Sequence, residues 1–470
     1  MSTIRKVILV ADTAENVVPM DNRLVHLDQA MFDAMRAGNR SQLMQCLWIY
    51  EHPVDLEALE RFHENLGYGL GGRLIERSVL PFGRHRWVSA LGPASDLDIE
   101  AVARPREEFS DWADEQAARP IDPEFGPGWR LSVLPMTDGS TGLSLVASHA
   151  LGDGVAGLVT IFSAVKGERP DLGYPARRGA TRRARLRAAR EDARATLRDL
   201  PEVRRTLSTA IKLTLRRRHD LARSAPARQA DDVGAANRVV SVPAVSVFVD
   251  IDEWDARAAS LGGNTYSLLA GVAARLGARM GRTVPTGPDG STVNLLLALS
   301  DRSFDDYRAN AMSIGNVGVD PDSVTTDLTS ARAAIRSALQ ARKDTPDESL
   351  QFLPLIPFVP RRAMKRLSDV FVGAADLPVS CSNMGDLEPT VGRPDGSDAE
   401  YMVMRGVDQN VIERDIVAAG GHLVLVSGRL GGKVSISVVG YEPGAPNTKA
   451  WLADLVQQTL AEYDLSGQMI

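Results

Sequence analysis

The chain has 470 residues, of which 44% are apolar and 24% charged, and its formal net charge is -6. That length suits two or three domains with sizeable cores, and the ordinary composition excludes wholesale disorder. The acidic balance carries no nucleic-acid signature. The two cysteines, Cys46 and Cys381, stand far from each other and from any Cys/His cluster, so neither a zinc site nor a disulfide framework is suggested.

Isolated thiols fit a reducing, cytoplasmic setting. Met1 to Val10 has two basic residues and only a short apolar run before Asp12 and Glu15, which is no signal peptide. The apolar stretch Val155 to Val165 is too short for a bilayer of ~30 Å. A cytoplasmic protein is expected, resting at most on a membrane surface.

In chain order, Asp28 to Ala37 reads as a short helix and Leu43 to Tyr50 as an apolar strand. From Asp55 to Leu70, Leu56, Leu59, Phe62 and Leu66 recur at helical spacing. Trp87-Val88 suggests a strand and Arg106 to Ala118 a helix. Trp129 to Pro135 alternates as a strand, Asp138-Gly139-Ser140 makes a turn, and Gly142 to Ser148 is a second strand. That strand runs into Ser148-His149-Ala150-Leu151-Gly152-Asp153-Gly154, followed by a buried helix from Val155 to Val165. The motif thus sits in a strand-to-helix loop, where N–H groups and the positive helix end face any bound group.

Residues 177–228 hold 17 Arg/Lys against 5 Asp/Glu, a local +12 that leaves -18 for the remainder. Apolar residues from Leu186 to Leu215 recur every three or four positions, which predicts a long basic amphipathic helix or helix pair, broken near Pro201. Its basic face is either solvated on a connecting helix or a surface for anionic lipid or nucleotide phosphates, with Arg216-Arg217-Arg218 as one contact. Strands and helices then resume: Ser241 to Asp250, a helix from Thr265 to Met280, a strand Val293 to Leu299, a helix Leu328 to Gln340, a hairpin of Leu423 to Val426 with Val434 to Val439, and a helix Trp451 to Tyr463. The order predicts two α/β halves, 1–176 and 237–470, joined by a basic helical linker, 177–236.

His149-x-x-x-Asp153-Gly154 has a chemical logic. A neutral imidazole can take a proton from an alcohol or amine as it attacks a carbonyl. Loop N–H groups can stabilise the resulting oxyanion. Asp153 is placed to brace the loop, and Gly154 to permit a tight turn into the helix. No Gly-x-Ser-x-Gly elbow, P-loop or Gly-x-Gly-x-x-Gly after a strand is present, so hydrolase, nucleotide-triphosphatase and dehydrogenase readings lack support.

Several elements together resemble the bacterial wax ester synthase/diacylglycerol acyltransferase family, within the superfamily of chloramphenicol acetyltransferase and condensation domains. They are Leu27-Asp28-Gln29-Ala30-Met31-Phe32, Pro120-Ile121-Asp122 with Gly128-Trp129-Arg130, the Ser148 to Gly154 run, Gly263-Asn264-Thr265, Asp301-Arg302-Ser303 with Asn310, and Ser382-Asn383-Met384-Gly385. The resemblance covers nearly the whole length. It implies two chloramphenicol-acetyltransferase-like α/β sandwich halves forming a pseudo-dimer with a tunnel between them.

It further implies that His149 is the general base, that Asp153 is structural and paired with Arg302, and that Asn264 and Asn383 line or brace the tunnel. By position alone, Asn264 also reads as a helix cap, Asn383 as an Asn-containing turn and Asp28 as a helix start. Ser148 departs from the family's first His, Thr265 from its Asp, and Gly128 and Arg130 from its Leu and Glu. The expected reaction is O-acyl transfer from acyl-CoA to an alcohol or glyceride, as in wax ester or triacylglycerol formation. No metal or other cofactor is implied. A carrier-bound thioester donor, an amine acceptor, or a homologue that only binds acyl chains are the alternatives.

Overall fold

The computed structural model describes residues 21–38, 40–179, 181–221, 236–286, 290–303, 306–344, 348–360 and 377–470, with the side chains of 210–221, 342–344 and 348–351 outside that description. Arg216, Arg217 and Arg218 therefore fall outside the described side chains.

The first part runs α1 (His26–Gly38), β1 (Ser41–Tyr50), α2 (Leu56–Leu66), β2 (Arg73–Glu76), β3 (Arg86–Ser89), β4 (Asp98–Ile99), α3 (Phe109–Ala118), β5 (Trp129–Pro135), β6 (Thr141–Ser148) and α4 (Gly154–Val165). The long helix α5 (Arg182–Leu221) follows. The second part runs β7 (Ala244–Asp250), α6 (Ile251–Ser260), α7 (Thr265–Arg279), β8 (Val284–Pro285), β9 (Ser291–Ser300), β10 (Met312–Val319) and α8 (Thr329–Asp344). It continues through β11 (Val379–Asp386), β12 (Tyr401–Gln409), α9 (Glu413–Ala418), β13 (His422–Leu430), β14 (Lys433–Tyr441), α10 (Lys449–Ala461) and β15 (Gln468–Met469). The sequence pattern locates most of these; β2, β4, α6, β8, β10, β11, β12, α9 and β15 carry too weak a signal.

Two main sheets form. The first has the order β12-β1-β6-β5-β4, the second β10-β9-β11-β13-β14-β7-β15, with β8 on β9. β1 is apolar along its length because both of its faces are covered. Cys46, Trp48 and Tyr50 join the core with α2 and α4, while Leu47 and Ile49 pack against Phe109, Trp112 and Phe248. In the second sheet, α7 is buried almost all round and packs with α8 and α10 on β9, β11 and β13.

The first sheet is not built from the first part alone. β12, expected within the 237–470 half, pairs antiparallel with β1, placing Arg405 opposite Gln45 and Met404 opposite Cys46. A polar chain fixes this register. Arg405 Nε donates to Gln45 Oε1 at 2.7 Å, Gln45 Nε2 donates to Ser144 Oγ at 2.8 Å, and Arg405 Nη2 donates to Asp114 at 2.7 Å. Buried polar groups need such partners, and a one-residue slip of β12 would turn Arg405 to the opposite face.

Helix α5 runs unbroken through Pro201, where the sequence predicted a break. An interior proline costs ~3 kcal/mol, but both flanks are anchored. Before it, buried Asp192 accepts from Arg86 and Arg178, each at 2.8 Å, and Asp199 accepts from Arg23 at 3.2 Å. After it, Val203 is buried.

Arg405→Ala should lower unfolding free energy by about 3 kcal/mol, because Gln45 loses its donor and Asp114 keeps only Lys449. Urea unfolding measures this; an unchanged midpoint would remove the polar chain from any role in holding β12.

Candidate active site

Ser148 closes β6 in the middle of the first sheet, and Asp153 opens α4. Five residues therefore connect a central strand to a helix N-terminus. The His149 N–H donates to Gln42 O at 3.0 Å, extending the ladder with β1 and fixing the residue at the strand end. Its ring is half-buried, and Nδ1 is sealed from solvent with no hydrogen-bond partner. Ser148, 1% exposed, accepts at Oγ from the Ala150 N–H at 3.3 Å. The hydroxyl thus holds the turn where the resembling family has its first His.

Asp153 is fully committed. Its Oδ1 accepts from the Ala156 N–H at 2.8 Å as helix cap, and its Oδ2 accepts from Arg302 Nη2 at 2.9 Å and from the Ala311 N–H at 2.8 Å. Arg302 sits just past β9, with its side chain 1% exposed. Its Nη1 donates to Asp306 O at 2.7 Å and Arg308 O at 3.0 Å, and its Nη2 also to Ala309 O at 2.9 Å. The Asp153 N–H donates to Ala309 O at 2.8 Å. The loop between β9 and β10, part of the second sheet, is thereby bolted to the His149 motif.

Asp28 does more than start a helix. It is wholly buried on α1 and accepts from the Ala309 N–H at 2.9 Å, the Asn310 N–H at 2.9 Å and Asn310 Nδ2 at 3.1 Å. Burial pushes its carboxyl up, against the pull of these donors and of Arg73. Arg73, on β2, escaped the sequence reading. It lies over Trp87 with 3.9 Å from guanidinium carbon to ring centroid, donates from Nη2 to Leu151 O at 2.9 Å, and donates from Nη1 to Tyr307 O. Burial pulls its guanidinium down, opposed by Tyr174 and Asp28. A lone arginine bonding distant carbonyls leaves no periodic trace in the sequence.

The other expected site residues part company. Gly154 has no left-handed φ, so turn conformation is not its role. A Cβ there would meet Met384 Cε at 2.9 Å and Met404 Cε at 3.8 Å. The glycine lets two strands of the second part, β11 and β12, approach the start of α4. Asn383 lies on β11, next to Met384, and its Oδ1 accepts from the Gly385 N–H at 2.8 Å where the strand bulges. Asn264 is exposed and caps α7 in a capping box with Ser267. Its side chain serves the helix start.

The departures from the family pattern also have physical reasons. Thr265 Oγ1 accepts from Trp254 Nε1 at 2.8 Å. A Cβ on Gly128 would come within 2.5 Å of Leu151 Cδ1, so Leu151 fills the space that a larger residue would take. Both cysteines are buried and unpaired, and burial pushes the Cys381 thiol up to about 12, which rules out a thiolate at neutral pH there. A shallow surface depression beside Arg257 and Asp464 and a small cavity of about 10 Å³ beside Phe248 and Tyr401 are both lined by residues other than His149. Among the described residues no helix is long and apolar enough to cross a membrane.

No protein-family model matches the chain, and no curated protein does. Solved structures do. The first condensation domain of the CDA synthetase superposes with a TM-score of 0.56 at 13% identity, covering 96% of this chain and 100% of that one. The wax ester synthase/diacylglycerol acyltransferase from Marinobacter aquaeolei VT8 gives 0.53 at 13% identity, over 94% and 98%. Polyketide synthase associated protein 5 from Mycobacterium tuberculosis gives 0.52 at 13% identity, over 93% and 96%. The chain therefore shares its fold with condensation domains and with this wax ester synthase/diacylglycerol acyltransferase over nearly its whole length. The resemblance read from the motifs is matched at the level of fold, and the wax ester synthase is one of the structures that share it.

Asp153→Asn and Arg302→Gln should each destabilise the chain by about 3 kcal/mol, and the double variant by at least 1 kcal/mol less than their sum. A denaturation double-mutant cycle checks this; strict additivity would mean the 2.9 Å contact carries no coupling.

Proposed function

We propose that this chain is an acyltransferase in which His149 takes the proton from an acceptor hydroxyl or amine as that group attacks a thioester carbonyl. The observation that supports this best is the placement of His149. The imidazole stands at the end of a central strand, beside a helix N-terminus, where β11 and the β9–β10 loop of the second sheet meet the first.

Nδ1 is enclosed, so the accepting atom in this reading is Nε2. The acceptor oxygen or nitrogen bonds to the carbonyl carbon, its proton passes to Nε2, and the carbonyl oxygen becomes an oxyanion. Collapse breaks the carbon–sulfur bond. The thiolate leaves and is protonated from the imidazolium, so no acyl-enzyme is required. In this reading the oxyanion is stabilised by backbone N–H groups of the first turn of α4, at the positive end of the helix.

Asp153 takes no proton in this scheme. Its oxygens already accept from three donors, one of them cationic. Its role is to hold the loop so that the ring keeps its position, with Arg302, Asp28 and Arg73 as further supports. Acyl-CoA is the donor favoured by the likeness to the wax ester synthase/diacylglycerol acyltransferase, and an alcohol or glyceride the acceptor. The likeness to condensation domains keeps a carrier-bound thioester in play, and a test of both donors separates the two.

His149→Ala should lower thiol release from acyl-CoA, or from a phosphopantetheinylated acyl carrier, by at least 100-fold with a panel of alcohols, glycerides and amines. Undiminished turnover in that variant excludes His149 as the base, and tight acyl-ligand binding without turnover by the unaltered protein would favour a binding role.

A further inference from the structure

The outward face of helix α5 belongs to no part of the catalytic scheme. The helix has two faces with opposite chemistry. Ala188, Asp192, Asp199 and Val203 share one face, spaced by four, seven and four residues, and it is the docked face. Ala188, Asp192 and Val203 are buried, and Asp192 and Asp199 bind Arg86, Arg178 and Arg23 of the body. Glu191 also turns inward to Arg178. The helix thus spends Asp192 and Asp199 on attachment, while Glu202 stays exposed.

Arg183, Arg187, Arg190, Arg194 and Arg198 stand on the opposite face, spaced by three or four residues, and all are exposed. Beside them, along one edge of the row, project Leu186 and Leu197, 54% and 64% exposed. The row extends over roughly 20 Å at ~1.5 Å per residue.

We propose that this face seats the protein on an anionic phospholipid surface. Exposed leucines along the edge of a row of arginines suit an interfacial helix: apolar side chains enter the acyl boundary while cations meet lipid phosphates. A small phosphorylated ligand needs convergent groups in a concavity, and a straight row on a convex helix provides none. A nucleic acid would use the arginines and leave the leucines without a partner. The charge of the whole chain adds direction. Residues 177–228 carry +12 and the remainder -18, so an anionic surface attracts this face and repels the rest. The inference stands apart from the acyltransferase reading.

The test is co-sedimentation of the full chain with vesicles of phosphatidylcholine alone or mixed with phosphatidylserine. Binding is expected to the mixed vesicles only, and to be lost between about 0.1 and about 1 M salt as the Debye length shrinks from ~10 to ~3 Å. R187Q/R190Q/R194Q should lower the partition coefficient about 100-fold, roughly fivefold per arginine. Leu186→Ser with Leu197→Ser should lower it about tenfold at each salt concentration at which the unaltered protein binds. All five positions are exposed, so melting temperature should hold in both variants and serve as the folding control. Unchanged partition in the arginine variant would overturn the proposal. So would normal binding by the leucine variant together with displacement by duplex DNA or free CoA, which would make the face a general polyanion site.

Discussion

Two carboxylates shut away from water, Asp28 and Asp153, hold the loop between β9 and β10, and the joining of the two sheets at the His149 motif depends on that grip. Each accepts three hydrogen bonds: Asp28 takes all of its own from Ala309 and Asn310, and Asp153 takes two from Arg302 and Ala311 and the third from the Ala156 N–H of its own helix. A buried charge is tolerable only when paired and hydrogen-bonded. Here an unpaired carboxylate would be costly, so the two acids favour the loop position that supplies their donors. The same constraint places Ala309 against Ala150 and Leu151, in a small core shared with Leu24, Phe32, Ile75 and Trp87.

From the opposite side the sheets are tied by exchange of backbone. β12 leaves the second part of the chain and becomes the edge partner of β1. The polar chain through Arg405, Gln45 and Ser144 holds its register, and Ser437 Oγ of β14 donates to Met404 O at 2.7 Å. The motif therefore lies between two cross-connections, one electrostatic and one built on strand pairing. Neither half could place the imidazole alone: β6 and α4 supply its backbone position, while the second part supplies Arg302 and the methionines that approach Gly154. This explains why so many glycines and small residues occur there, since Gly128, Gly152 and Gly154 all face close side chains.

Helix α5 shows the same economy of charge in another setting. A sequence window with so many arginines reads as a solvated connector or a binding surface, and composition does not choose. Docking through Asp192 and Asp199 sorts the faces, because an acid buried beside arginines is held and the arginines on the far side of the helix are left to solvent.

The sequence by itself determined the local elements and the motif. Apolar runs of strand length, helical spacing in α2, α4, α7 and α10, and the His149 to Gly154 loop between strand and helix all follow from neighbours within a few residues. Order and spacing of short motifs were enough to indicate the fold. Only the tertiary structure decided the rest: that Asp28 clamps a loop 281 residues away, that Arg73 joins it, that β12 completes the first sheet, that Asn264 serves a helix start, and that Gly154 is needed for space rather than for turn. These are long-range pairings of single side chains with distant backbone groups. They obey no periodicity, and a residue's partner is set by which segments the packed sheets bring together.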